Sequence, residues 1–314
     1  MHNTTVHPEL ADVLDRMPER PNLFDDLEAT RRNFGALQDS MPLDTSGVDI
    51  RNLEIDGPDG NLIPISVYRP KGVAGPLPAV LHIHGGSFAF GRSRPGEDRT
   101  AIAIAEEVGA VAVSVDYRLA PEHRYPAGME DCYTALEWIA EHAAELRVDA
   151  DRVAVTGKSA GGGLTASLAL LSRDRGGPAI AYQSMYIPTL DHRHDTESAR
   201  LITDPRFLNN ADIAQTYRHY LPEPEAETVP VYASPARVGD LSGLPPAFVL
   251  ACDLDPLRDE ALDYARRLMD SGIPVTVCNV PGAWHIFEFT APDSALARNT
   301  QRKWLGDLRA ALAG

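Results

Sequence analysis

Cysteine is scarce in this chain of 314 residues: Cys132, Cys252 and Cys278 are odd in number and far apart, each set in apolar or regular sequence. That fits buried, reduced thiols better than a disulfide framework or a zinc site. Runs of Lys or Arg are also missing, and 29 basic against 45 acidic residues leave a formal net charge of −16. Nucleic acid and anionic membrane surfaces are therefore poor partners. No apolar stretch approaches the roughly 18 residues of a membrane span. Residues 1–10, MHNTTVHPEL, lack the basic start and apolar stretch of a signal peptide. A soluble, cytoplasmic protein is the expectation. There is no internal repeat and no low-complexity tract.

What is present is an ordinary globular composition, 44% apolar, 24% charged and 7% aromatic, which excludes disorder and collagen. A chain of this length can bury about 75% of its unfolded surface in one large core.

The apolar pattern changes twice along the chain. Residues 8–40 carry apolar positions at helical spacing (Leu10, Val13, Leu14, Met17, then Leu23, Leu27, Phe34, Leu37), broken by Pro18 and Pro21. Residues 48–69 read as an antiparallel hairpin around Gly57-Pro58-Asp59-Gly60. After it, β-rich runs at 79–84, 111–117, 152–157, 180–187, 247–252 and 275–280 alternate with helical stretches near 96–109, 126–145, 160–173, 257–271 and 293–313. Such alternation, with nearly continuous apolar strands, predicts a mostly parallel sheet covered on both faces. The polar stretch 192–225, with Pro205, Pro222 and Pro224, interrupts the rhythm and holds one amphipathic helix near 207–220. It reads as an insertion on the C-terminal edge of the sheet.

The strongest local signal is Gly157-Lys158-Ser159-Ala160-Gly161, a G-x-S-x-G between an apolar strand and a small-residue helix. A serine on so sharp a strand-to-helix turn needs small neighbours, and the helix N-terminus behind it favours developing negative charge. A phosphate loop is excluded, because the glycine it requires five residues before the lysine falls on Val153. His84-Gly85-Gly86-Ser87 ends the strand at 79–84, where glycines let backbone N–H groups approach the oxygen of a tetrahedral intermediate. A side chain at Gly86 is accordingly expected to cost turnover more than stability. His82 and His84 form His-x-His without a third ligand, and His192-Arg193-His194-Asp195 reads as solvated loop, so no metal and no cofactor is expected.

A serine nucleophile needs a base, and the base an orienting acid. Asp255-Pro256-Leu257-Arg258-Asp259-Glu260 follows the strand at 247–252, and Pro281-Gly282-Ala283-Trp284-His285 follows the strand at 275–280. The order Ser159, Asp255, His285 is that of an α/β-hydrolase triad. Asp253 lies two residues from Asp255 on the same side of an ideal strand, so periodicity does not choose between them.

Taken with Asp116-Tyr117-Arg118-Leu119-Ala120-Pro121-Glu122-His123, these five ordered motifs make the sequence resemble the hormone-sensitive-lipase-like carboxylesterases over most of its length. The resemblance implies an α/β-hydrolase fold: a mostly parallel eight-stranded sheet with a helical cap, divided as 1–45 (cap helices), 46–191 (core), 192–225 (cap insertion) and 226–314 (core). It implies Ser159 as nucleophile, His285 as base and acid, Asp255 as orienting carboxylate, and the N–H groups of Gly85, Gly86 and Ala160 as oxyanion hole. It further implies hydrolysis of small, short-acyl esters, without a cofactor, and dimerisation by an edge strand. Amide or lactone cleavage by the same triad, and a silent ligand receptor on the same fold, are the rival readings. Within the Asp116–His123 motif, Arg118 and Glu122 are expected in buried polar contacts. Two residues depart from the family pattern: Ser87 replaces a third glycine, and Lys158 replaces an acid. The Lys158 ammonium is expected within about 8 Å of His285, repelling its imidazolium, unless it pairs with Glu130 or Asp131.

Overall fold

Val, Ile, Leu and Ala runs without a polar face oblige the central strands to be covered on both sides. The structure, a computed structural model, describes residues 5–40, 42–223 and 228–313. Pro224, named above as a breaker, lies outside them, as do residues 1–4. Among the described residues, β1 (Val48–Asp56), β2 (Leu62–Pro70), β3 (Leu77–Ile83), β4 (Val111–Val115), β5 (Val148–Lys158), β6 (Tyr182–Tyr186), β7 (Ala247–Leu254) and β8 (Val275–Trp284) form one sheet. Its order is β1-β2-β4-β3-β5-β6-β7-β8. The β1–β2 hairpin and the β2–β4 pair are antiparallel, and every other pair is parallel.

The helices are α1 (Pro8–Arg16), α2 (Leu27–Ser40), α3 (Asp98–Ala103, continued by a π turn over Ile104–Val108), α4 (Ala127–Glu141) and α5 (Ala143–Leu146). They continue with α6 (Ala160–Arg175), α7 (Glu197–Leu201), α8 (Asn210–Tyr220), α9 (Arg258–Asp270), α10 (Phe287–Thr290) and α11 (Ala295–Ala311). Side chains of β3 alternate between two layers: Ala79, Leu81 and Ile83 pack with Leu136 of α4 and Leu168 of α6, whereas Val80 joins Ile102 of α3 and Trp304 of α11. The same alternation on β7 sends Val249 and Ala251 toward Leu268 of α9, and Phe248 and Leu250 toward the α11 side. Period-two burial thus reaches both helical layers from one strand. All three cysteines are free and buried. Among the described residues no helix is long and apolar enough to cross a membrane.

The 8–40 and 192–225 segments meet in space. Asp212, fully buried in α8, forms an ion pair with Arg20 at 2.6 Å and accepts the Leu23 N–H at 3.1 Å. Phe24 stacks on His219 with ring centroids 4.5 Å apart. The helix expected near 207–220 starts at Asn210, because the Asn209 side chain accepts from the Ala211 and Asp212 N–H groups while Asp212 accepts back from Asn209, a capping box.

Arg118 is tied down as the sequence suggested. Its guanidinium lies against the fully buried Asp131 at 2.9 Å, and Asp131 also accepts the Arg118 N–H at 2.8 Å. Glu122 departs from the expectation: half exposed, it pairs at 2.8 Å with Arg31 of α2, so it joins the N-terminal segment to the core surface instead of being buried. A carboxylate as enclosed as Asp131 is costly to remove once its cation stays behind. Asp131→Ala is expected to lower unfolding free energy by about 3 kcal/mol, read as a lower urea midpoint at unchanged slope. A loss below about 1 kcal/mol would mean that water replaces the pair.

Candidate active site

Parallel pairing sets the C-terminal ends of β3, β5, β7 and β8 along one edge, and the turns leaving them carry the residues singled out by sequence. Ser159 sits between β5 and α6 with φ 55° and ψ −118°, a backbone state that costs a non-glycine residue on the order of 1–3 kcal/mol. It is held there by hydrogen bonds: the Ser159 N–H donates to Tyr186 O at 2.9 Å, and Ser159 O accepts from Thr189 and Gly163. Gly161 makes the turn sterically feasible, since a Cβ there would lie 2.1 Å from Ile83 O.

His285 directly follows β8. Its Nε2 stands 2.9 Å from Ser159 Oγ, and its Nδ1 stands 2.6 Å from Asp255 Oδ2. With a carboxylate at Nδ1 the ring proton resides there, leaving Nε2 to accept the serine hydroxyl. Asp255 and His285 are almost fully buried, and Asp255 Oδ1 accepts the Leu257 N–H at 2.9 Å. The structure therefore brings Ser159, His285 and Asp255 together and sends Asp253 elsewhere: Asp253 accepts from Asn279 at 2.5 Å and from the Gly282 N–H at 3.0 Å, bracing the end of β8 that leads to His285. Both groups belong to the β7 terminus, where a register shift between Cys252 and Leu254 breaks the alternation that made them equivalent.

Gly85 packs on the Ser159 turn closely enough that a Cβ would lie 2.9 Å from Lys158 O. Gly85, Gly86 and Ser87 line the same cavity as Ser159 and His285, and Ala160 is buried at the start of α6. The Asp116–His123 segment supports this loop. Tyr117 stacks on the His84 ring at 4.3 Å and donates its hydroxyl to His84 O, while Ala120 N–H donates to Phe88 O. Burial pushes the His84 imidazole down. One expectation is corrected here. Gly86 has φ 119°, and a Cβ would lie 1.9 Å from Phe90 O, so a valine at Gly86 would disrupt the loop itself and does not separate turnover from stability.

Lys158 is the second correction. Glu130 pairs with Arg175 and Asp131 with Arg118, whereas Lys158 pairs with Glu288 of α10 at 3.5 Å. The ammonium thus has a carboxylate partner, as one of the two expectations held, but it is one three residues after His285 that the sequence did not indicate. The His192–Asp195 cluster is occupied locally, His192 with Ser234 and Arg193 with Asp191.

The cavity over Ser159 has a volume of about 270 Å³. Its apolar walls include Met17, Leu23, Phe34, Phe207, Leu208 and Phe289, none of them marked by a motif. Met17, Arg206 and Phe207 also border a more open groove of about 900 Å³. Phe207 stacks on Trp284 at 5.9 Å, and Arg206 is pinned to Asp204 at 2.6 Å.

The profile of a family described as alpha/beta hydrolase fold matches residues 80–289. Esterase LipI of Mycobacterium tuberculosis is 36% identical over 313 residues, covering 98% of this chain and 96% of that protein. Carboxylesterase NlhH of the same organism is 37% identical over 284 residues, 89% of this chain and 88% of its own. Among solved structures, a bacterial heroin esterase superposes with TM-score 0.93 at 38% identity, with 98% of both chains covered. A hyperthermophilic esterase from Pyrobaculum calidifontis gives 0.87 at 33% identity over 99% of this chain and all of the other.

Glu260 closes the Asp255–Glu260 motif without joining the site. Its Oε1 accepts the Leu190 N–H at 2.6 Å and the Asp191 N–H at 3.2 Å, while its Oε2 is buried without a partner. Burial pushes this carboxyl well above the ordinary range. Above about pH 4.3 the unfolded chain has released a proton that the folded chain still holds, so this group's contribution to stability falls as pH rises. Glu260→Gln removes that slope. Urea midpoints at pH 5 and pH 8 should show the variant gaining on the wild type at the higher pH; an equal gap at both would show that Glu260 titrates normally.

Proposed function

This chain belongs to the hormone-sensitive-lipase-like family of α/β hydrolases and is a serine carboxylesterase, and we propose that Ser159, His285 and Asp255 carry its reaction on small, short-acyl esters. The observation that supports this assignment is the continuous hydrogen-bond chain from Ser159 Oγ through the imidazole to Asp255, with its serine end on a cavity lined by Gly85 and Gly86.

Ser159 Oγ attacks the ester carbonyl carbon as its proton passes to His285 Nε2. Negative charge gathers on the carbonyl oxygen, where the N–H groups of Gly85, Gly86 and Ala160 are the donors we assign. Asp255 holds the Nδ1 proton and offsets the imidazolium. The imidazolium then protonates the departing alkoxide, leaving an acyl ester on Ser159. A water molecule gives its proton to His285 and attacks that ester; the carboxylic acid leaves and Ser159 regains its hydrogen. Binding and chemistry use no cofactor in this scheme.

The 8–40 and 192–225 segments act as the cap in this reading, contributing Met17, Leu23, Phe207 and Leu208 to the cavity wall. The cavity over Ser159, about 270 Å³, is small, which agrees with the short acyl chains that the family resemblance implies. Nitrophenyl esters should accordingly be turned over best at about two to six acyl carbons. In the same assays Ser159→Ala should reduce turnover by several orders of magnitude, and an organophosphonate should add its mass to Ser159 of the wild type. More than about 1% residual activity in that variant, or no adduct, removes Ser159 from the role.

Asp255→Asn should lower turnover by roughly 10⁴-fold by spoiling the histidine tautomer. Asp253→Asn, which alters only the contacts to Asn279 and Gly282 of β8, should be far milder. The reverse ranking in kcat would reassign the orienting carboxylate.

A further inference from the structure

Ser159 leaves β5 and His285 leaves β8, and the strands β6 and β7 lie between them in the sheet. Backbone pairing therefore connects the two turns only through two intervening strands. A direct link between them is made by side chains. Lys158, the residue before Ser159, reaches Glu288, three residues after His285, with Nζ 3.5 Å from Oε1. Both side chains are largely enclosed, 12% and 17% exposed. The ammonium also lies over three rings, Tyr186 at 5.2 Å, Trp304 at 5.5 Å and Phe289 at 5.7 Å, so β6, α10 and α11 fix its position. Both Glu288 carboxylate oxygens are buried, and the carboxylate faces the Lys158 ammonium and the Tyr186 phenol, whose titration burial pushes up and this carboxylate helps to raise, so the lysine supplies the cationic compensation for that carboxylate.

We propose that Lys158 and Glu288 are positioning residues that clamp the serine-bearing turn to the histidine-bearing turn and so hold Ser159 Oγ within hydrogen-bond reach of His285 Nε2. The proposal rests on the reading of Ser159 and His285 as nucleophile and base. Neither clamp residue belongs to the hydrogen-bond chain from Ser159 to Asp255, although Lys158 lines the cavity over Ser159, so KM is read beside kcat. The physical reason for an effect on rate is geometric: the two catalytic atoms sit on separate loops, and an error of about 1 Å between them costs on the order of 10²-fold. Glu97 is a further acid on the cavity wall beside this cation; burial pushes its carboxyl up, but His82 3.5 Å away and the Lys158 charge bring it down to about 2. It leaves Lys158 a countercharge when Glu288 is neutralised, so Glu288→Gln is the gentler variant.

The test compares wild type, Glu288→Gln, Lys158→Met and the double variant on nitrophenyl butyrate, together with the rate at which an uncharged organophosphonate labels Ser159. Each single variant should lower kcat by about 10- to 100-fold with KM changed less than threefold, and should slow labelling by a similar factor. The double variant should be no slower than the poorer single, because the clamp breaks only once. Should Lys158→Met fail to fold, Glu288→Gln decides alone. A folded Glu288→Gln with kcat within twofold of wild type overturns the clamp, as does a double variant whose losses multiply. A wild type that is neither active nor labelled at Ser159 overturns the reading of the site instead.

Discussion

Gly161 lies so close to the carbonyls of Ile83 and His84 that no side chain fits between them. That contact joins the start of α6 to the end of β3 and sets where Ser159 and Gly85 meet. Because β3 and β5 are parallel neighbours, their terminal turns emerge side by side. The left-handed backbone at Ser159 is sustained by the surrounding bonds to Tyr186, Thr189 and Gly163.

Around this point the structure uses enclosed charge as connection. Asp131 grips Arg118 and its backbone N–H, Asp212 grips Arg20 and the Leu23 N–H, and Lys158 meets Glu288. Each pair joins segments far apart in sequence or different elements of the fold, where a hydrophobic contact would be less selective about its partner. The net charge of −16 counts every ionisable residue alike, whereas the acids that fix geometry are these enclosed ones with named partners. Glu260 is held differently, by two backbone N–H bonds, with burial pushing its carboxyl well above the ordinary range.

The Asp116–His123 motif illustrates a division of labour that chemistry alone does not require. None of its residues belongs to the hydrogen-bond chain at Ser159. Tyr117 supports His84, Ala120 bonds to the glycine loop, Arg118 anchors the start of α4 through Asp131, and Glu122 reaches α2 through Arg31. One short segment thereby couples the loop proposed as the oxyanion hole to the core and to the N-terminal helices.

Much of the architecture was legible in the linear chain because its signals are local. Alternating strands and helices, the Gly57–Gly60 turn, the G-x-S-x-G between strand and helix, and the order of Ser159, Asp255 and His285 depend on backbone sterics and on periods of 2 and 3.6 residues. Strand ends were less legible: the strand expected at 275–280 runs on as β8 to Trp284 and delivers His285 directly. The choice of Asp255 over Asp253 follows from a register shift at the end of β7, which an ideal strand period does not encode. Glu288 as the partner of Lys158, Arg31 as the partner of Glu122, and the cavity wall built from Met17, Phe34, Phe207 and Phe289 were settled only by tertiary structure. Charges and apolar side chains carry no address; which ones meet, across a hundred residues or more, is decided by the packing that brings their elements together.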